Sequence, residues 1–330
     1  MVTVHDVAAR SGVSIATVSR SLREPHRVSE ATRERVLTAV RELGYQPNRA
    51  ARSLRRGRTG VIALVVPDIE NPYFSSLTKG AQASARDNGY GLVVIDTTER
   101  AEVEADEIVA VRSQVDGMIL ASPRLSDEAL TAVVELTPSV LVNRRLDVSV
   151  PTVTVDEAIG SRAAVGHLRE LGHARVAYVG GPGASWSQRR RSRGVREAVA
   201  AIDGLELVEY AAASPDAAGG RAIAEEVIAS TPTAVIAYND LVAVGLLARW
   251  TDLGVVVPRD VSLVGFDNAN VTELTTPRIT SVGADLRAIG ETAVRLVIER
   301  IENQGAAAQR TDVELRPRME VRSSTSAPRS

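Results

Sequence analysis

The stretch QPNRAARSLRRG at residues 46–57 sets four arginines around a short run of helix-forming residues. Guanidinium groups at this density suit phosphate or carboxylate partners. Ala50, Ala51 and Leu54 share one helical face. A helix of about two turns is marginal in water, because its nucleus is costly and few bonds follow. NRAARSL is therefore expected to become helical only when a partner stabilises it; the alternative is a flexible basic linker. Other chemistries find little support. There is no cysteine, so disulfides, thiolate metal sites and a cysteine nucleophile are excluded. His5, His26, His167 and His173 lack metal-ligand spacing, and GGPGAS has neither the glycine spacing nor the lysine of a phosphate loop. No nucleophile–base set is legible. A non-enzyme is expected, with no metal and no cofactor.

The charge is unevenly placed. Residues 1–59 hold 12 Arg against 5 Asp and Glu, whereas the remainder holds 27 Lys and Arg against 36 Asp and Glu. A small basic head on a large acidic body fits a polyanionic partner for the head, although composition alone fits a solvated charged face equally well. The 330 residues are enough for two or three domains. No run of apolar residues is long enough to span a membrane. The start, MVTVHDVAAR, lacks the pattern of a secretory leader, so a cytoplasmic protein is expected.

These residues need elements to hold them. Thr3 is the candidate cap of a first helix that ends at Gly12, Ser14 caps a second, and Ser29 caps a third that stops at Gly44. Val4, Val7, Val13 and Val18 are expected inside. Two short helices joined by a tight glycine turn form a helix-turn-helix pattern. From Val61 the pattern changes to buried strands such as VIALVVP, GLVVID, DGMILAS, SVLVNR, RVAYVGG, TAVIAYND and VSLVGFDN, alternating with helices. That alternation predicts parallel sheets wrapped by helices, too many units for one sheet, and so two similar α/β lobes with ligands at the carboxyl ends of the strands. The expected division is a helix-turn-helix domain at 1–46, a hinge helix and linker at 47–59, and a two-lobed core at 60–330.

The segment VTVHDVAARSGVSIATVSRSLREPHRVSEATRERVLTAVRELGYQPNRAARSLRRGRTGVIALVVPDIENPYFSSL resembles the lactose-repressor (LacI/GalR) family of bacterial transcription regulators, and HLRELGH, GGP, YND and VGFDN extend the likeness to the whole chain. The resemblance implies an all-α DNA-binding head, a hinge helix, and a core like a periplasmic sugar-binding protein. It places the second helix in the major groove, with Ile15, Ala16 and Arg20 toward base edges. Arginine can bond guanine bidentately, and small apolar side chains can meet a thymine methyl. Thr3, Ser14, Thr17 and Ser19 suit phosphate contacts. The alternative is that the hydroxyls only cap helices and Arg20 is a surface arginine. The resemblance also implies that two hinge helices of a dimer pair in the minor groove, with Leu54 wedging a base step and Asn48, Arg49, Arg52 and Arg55 near phosphates.

For the core, the resemblance implies an effector cleft between the lobes. Phe74 and Phe266, Trp186 in the loop after GGPG, and neighbouring Tyr73 fall at its cleft positions. Arg191, three residues before Gly194, and Asp267, after VGF, are the first choices for ligand hydrogen bonds, joined by Asn143, Asn239 and Asp240. Relatives that take sugars or purines often carry an aromatic where Ser214 stands in AAASPDAAGG, and Trp186 is expected to supply the lost stacking face. The implied effector is a sugar, sugar derivative or nucleoside. No leucine heptad follows the core, and the tail SSTSAPRS is expected to be disordered, so the assembly expected is a homodimer.

Overall fold

A computed structural model describes residues 2–23, 25–45, 58–303 and 310–329. The chain forms two units, residues 1–59 and 60–330.

In the first unit three helices share a small core: α1 (Val4–Ser11), α2 (Ile15–Arg23) and α3 (Glu30–Leu43). Gly12 and Gly44 end α1 and α3 in the left-handed conformation that glycine adopts without strain. The Asp6 carboxylate accepts from the Thr3 N–H at 2.7 Å, which ties down the start of α1. Val7, Val18 and Val36 are completely buried, with Val4, Val13 and Ile15 partly buried around them.

The second unit holds two sheets. In chain order its elements are β1 (Val61–Val66), α4 (Pro72–Asp87), β2 (Gly91–Asp96), α5 (Ala101–Val111), β3 (Gly117–Ala121), α6 (Asp127–Leu136), β4 (Ser139–Val142), β5 (Thr152–Val155), α7 (Glu157–Glu170), β6 (Arg175–Gly180), α8 (Trp186–Ala200), β7 (Glu206–Ala211), α9 (Ala217–Ala229), β8 (Ala234–Ala237), α10 (Asp240–Asp252), β9 (Ser262–Phe266), β10 (Thr280–Gly283), α11 (Leu286–Glu302), β11 (Asp312–Leu315) and β12 (Arg318–Glu320). The sheets run β11-β5-β4-β3-β1-β2 and β12-β10-β9-β8-β6-β7, with every pairing parallel except β10 with β12. Each lobe thus repeats one doubly wound order, in which the strand order reverses beside its first strand and opens a crevice at the carboxyl ends. The central strands are apolar throughout because helices cover both faces. Ile62, Leu64 and Val66 pack beneath α4 and α11, and Ala63 and Val65 lie on the other face.

The lobes are not consecutive in sequence. The chain enters the second lobe at α7, returns through α11 and β11, and ends on β12 in the second. In each lobe one helix pair meets through reciprocal glycines. A Cβ on Gly80 would lie 2.1 Å from the Arg287 carbonyl oxygen and one on Gly290 2.2 Å from that of Leu77, while Gly220 and Gly245 stand in the same relation across α9 and α10. The expectation of a disordered tail is wrong. Ser324 is fully buried, its hydroxyl accepting from the Thr280 N–H and donating to the Leu263 carbonyl, and Ser326 bonds Ser262. His173, also buried, contacts Thr233 and the Ser326 carbonyl, and His167 reaches Thr325. A serine-rich segment looks solvated by composition, but these hydroxyls satisfy the backbone groups at the far end of the second sheet.

Candidate functional site

In the first unit the Thr17 N–H donates to Ser14 Oγ at 3.1 Å, so Ser14 caps α2 as its position predicts. Ala16 and Arg20 lie one turn apart on an exposed face, with Thr17 and Ser19 half-buried beside them. Arg20 has no hydrogen-bond or ion-pair partner among the described residues, so its fork is available to an outside acceptor. Ile15 is half-buried and packs against the unit's core, which gives it a structural task beside any contact with a base. Thr3 is exposed and its hydroxyl donates to Asp6 at 2.8 Å. Asn48, Arg49, Arg52, Leu54 and Arg55 lie outside the described residues.

The second unit contains a polar cleft at the carboxyl ends of both sheets. The first lobe contributes Asn71, Tyr73, Phe74, Glu99, Ser122, Arg124 and Asn143; the second contributes Ser187, Arg191, Pro215, Tyr238, Asn239 and Asp267. Pro72 begins α4 and Asn71 caps it by accepting the Tyr73 N–H, which sets both aromatics at the mouth of the crevice. The two rings meet edge-on at 5.0 Å. Asn143 follows β4 with a φ of 51°. Its amide donates to the Tyr73 hydroxyl at 2.7 Å and to Ser122 Oγ at 3.3 Å, while its buried Oδ1 has no partner. Burial raises the Tyr73 phenol, which therefore stays protonated and able to donate.

Arg191 is the hub of the second lobe. Its Nε and Nη2 donate to the two oxygens of Glu157 at 2.8 and 3.1 Å, Nη2 also reaches Asp267 Oδ1 at 2.9 Å, and Nη1 reaches the Tyr238 carbonyl at 2.7 Å. The guanidinium lies 4.7 Å from the centre of the Phe266 ring. Its neighbouring carboxylates hold its pKa well above the ordinary value despite burial. Burial outweighs Arg191 at Asp267 and pushes that carboxyl up to about 6.

Several residues assigned to the cleft from sequence lie elsewhere. Phe266 points into the core beneath α7 and α8 with Val264, because the last residue of β9 faces the covered side and the next residue, Asp267, turns into the cleft. Trp186 is not in a loop. It begins α8, is half-buried, and stands under the Arg190 guanidinium at 5.2 Å, away from the lining. Asp240 is buried and structural, accepting from the Ala269 N–H and the Ser281 hydroxyl. Asn239 lines the cleft, but its Oδ1 caps α10 through the Val242 N–H and its amide donates to the Pro215 carbonyl. Ser214 is turned toward Asp216, so the aromatic on this side is Tyr238. Trp250 packs in the core and donates to the Ala224 carbonyl.

Residues 3–48 match the description "Bacterial regulatory proteins, lacI family", and residues 165–325 match a periplasmic binding protein-like domain. The repressor CytR of Escherichia coli (strain K12) is 33% identical over 95% of this chain and 94% of its own. The chain belongs to the lacI family. It is a DNA-binding transcriptional regulator of that family, with the head and two-lobed core the sequence implies. The ribose operon repressor of Halalkalibacterium halodurans is 32% identical over 95% of this chain and 94% of its own. The lac repressor dimer bound to operator and an anti-inducer superposes with a TM-score of 0.86 at 26% identity, covering 99% of each chain. Against this lacI-family frame, the cleft residues missed from sequence are Asn71, Glu99, Ser122, Arg124, Ser187, Pro215 and Tyr238. Only the YND motif carried a signal for one of them, Tyr238. Among the described residues no helix is long and apolar enough to cross a membrane.

Asp267→Asn separates binding from stability. A carboxyl whose folded pKa lies above its unfolded value favours the fold when protonated, and that contribution is lost as pH rises from about 4 to about 6. At pH 7.5 the ionised group is therefore a cost. Asparagine keeps an acceptor for Arg191 and tolerates the φ of 102°. The expected variant has an undiminished melting temperature at pH 7.5 and a flatter pH dependence between about 4 and 6, with effector response weakened about tenfold or more. A melting temperature many degrees lower would show that Asp267 serves the fold instead.

Proposed function

We propose that this regulator represses transcription as a cytoplasmic homodimer on a palindromic operator, and that a small polyhydroxy metabolite of the sugar or nucleoside class in the interlobe cleft controls DNA affinity through the hinge helix. The cleft carries the effector part of this reading. It offers the unpartnered Asn143 Oδ1, the Tyr73 hydroxyl and Asp267 together, which is a set of acceptors and donors matched to vicinal hydroxyls. Arg191 and Asp267 would bond the ligand, with Tyr73, Phe74 and Tyr238 as its apolar walls. The relatives named for ribose-operon and lac control support the class. Exposed Val93 and Val94 on edge strand β2 support a second copy as partner. Ala16 and Arg20 would read bases and Ser14, Thr17 and Ser19 would hold phosphates. Asn48, Arg49, Arg52 and Arg55 would flank the minor groove while Leu54 wedges its central step.

Selection from random-sequence DNA should return a palindrome of two half-sites. On that site Leu54→Ala should weaken binding about tenfold more than on unrelated DNA, since the wedge acts only where the hinge pair forms. A single unrepeated site would contradict the dimer, and equal loss on both DNAs would contradict the wedge.

A further inference from the structure

Two arginines line the cleft, and each is already held by carboxylates. Arg124 follows β3 in the loop before α6 and is almost fully buried. Its Nε and Nη2 donate to the two oxygens of Glu99 at 2.6 and 3.0 Å, and Nη1 donates to the Ser122 carbonyl at 2.6 Å. Both anchors are residues in the left-handed region, Glu99 with φ 60° and Ser122 with φ 50°, which non-glycine residues rarely occupy. The Glu99 N–H is fixed to the Pro67 carbonyl at 2.8 Å. From below, buried Glu104 accepts the backbone N–H groups of Arg124 and Leu125 at 2.7 and 3.2 Å. The loop is therefore rigid, and the guanidinium cannot swing free without breaking several bonds.

The same arrangement recurs across the cleft, where Glu157 and Asp267 hold Arg191. Among the charged side chains that line this cleft or ion-pair with those that do, the carboxylates Glu99, Glu157 and Asp267 exceed the guanidiniums Arg124 and Arg191 by one. Phosphate recognition by arginine uses a free fork with two parallel N–H groups. At Arg124 Glu99 occupies the Nε–Nη2 edge, and on the other edge Nη1 is already donated to the Ser122 carbonyl. A phosphorylated ligand would have to displace Glu99, leaving that carboxylate without its cation, or place its own negative charge beside the Glu99–Arg124 pair. An uncharged ligand meets no such conflict.

We propose that Glu99 sets the charge selectivity of the cleft: by occupying the fork of Arg124 it closes the site to phosphorylated ligands and leaves it open to uncharged ones. This rests on the reading of the cleft as the effector site. It assigns selectivity to a residue that need not touch the effector, and it predicts that losing one carboxylate converts the site.

The test uses the full chain with inorganic phosphate as the first probe, because that comparison needs no knowledge of the effector. At matched ionic strength, replacing chloride by phosphate should leave the melting temperature of the parent protein unchanged and raise that of Glu99→Gln. Glu99→Asn, which tolerates the left-handed backbone, is the second variant should Glu99→Gln fold poorly. Calorimetry then compares D-ribose, D-glucose and cytidine with ribose 5-phosphate, glucose 6-phosphate and cytidine 5′-monophosphate. The parent protein should bind an uncharged member at least about tenfold more tightly than its ester, and the gap should shrink about tenfold in Glu99→Gln. An ester that binds the parent protein as well as its uncharged partner overturns the proposal. So does a variant that gains nothing from phosphate, and so does silence from every uncharged probe. Whether a bound compound also releases operator DNA is read separately, so failure of the effector reading is distinguishable from failure of the charge filter.

Discussion

Replacing Arg191 with alanine should destabilise the two-lobed unit by about 3–5 kcal/mol, the usual penalty for stranding a buried charge. Glu157 and Asp267 would both lose their cation, with Glu157 only 2% and Asp267 only 9% exposed at the side chain. The Tyr238 carbonyl would lose its donor and Phe266 the guanidinium over its ring. Arg191→Lys keeps the charge but not the fork, so it cannot hold both oxygens of Glu157 while reaching Asp267. Its stability should fall between the two, with effector response lost. Denaturant unfolding with an unchanged slope would read the difference. Arg191→Ala that unfolds like the parent protein would mean the network is not the keystone its geometry describes.

Arg20→Ala should abolish operator discrimination while leaving the fold intact. Each bidentate arginine–guanine contact is worth about 1–3 kcal/mol, and a dimer makes the contact twice, so operator affinity should drop between about 30-fold and about 10⁴-fold. Binding to unrelated DNA should fall far less, since only one positive charge per head is removed. The head should melt at the same temperature, because Arg20 is exposed and has no partner among the described residues. Anisotropy titrations on operator and scrambled duplex at one salt concentration measure both quantities. Equal losses on the two duplexes would make Arg20 a phosphate contact.

What the sequence disclosed follows from which forces are local. Ser14 as cap and Gly12 and Gly44 as stops are decided within one helical turn, and they fall where expected. Buried strands such as VIALVV are legible because both faces are covered, leaving no alternation. Helices α6 and α11 and strands β5, β7, β10, β11 and β12 were not read from the sequence; of these, α11, β11 and β12 return to the two lobes from a distant part of the chain. In the cleft, Arg191 and Asp267 were found through motif resemblance. Arg124 and Glu99 were not, since they stand 25 residues apart in loops whose composition looks solvated. Their burial is a product of the crevice, and no local pattern encodes it. Phe266 and Trp186 were misplaced for a related reason. Residue type marks an aromatic as significant, but strand alternation and helix start decide which way it faces, and one residue's difference separates Phe266 in the core from Asp267 in the cleft.

The central claim is that one compound in the cleft changes the head's affinity for its operator. The most direct measurement is fluorescence anisotropy of the full chain on the labelled, selected palindrome at fixed salt, with and without each uncharged sugar and nucleoside that binds by calorimetry. The account predicts that at least one of them shifts the operator dissociation constant by about 5- to 150-fold, the range of ordinary allosteric coupling, and that Asp267→Asn raises the concentration needed for that shift about tenfold or more. A compound that occupies the cleft at saturating concentration while operator affinity stays the same would contradict it.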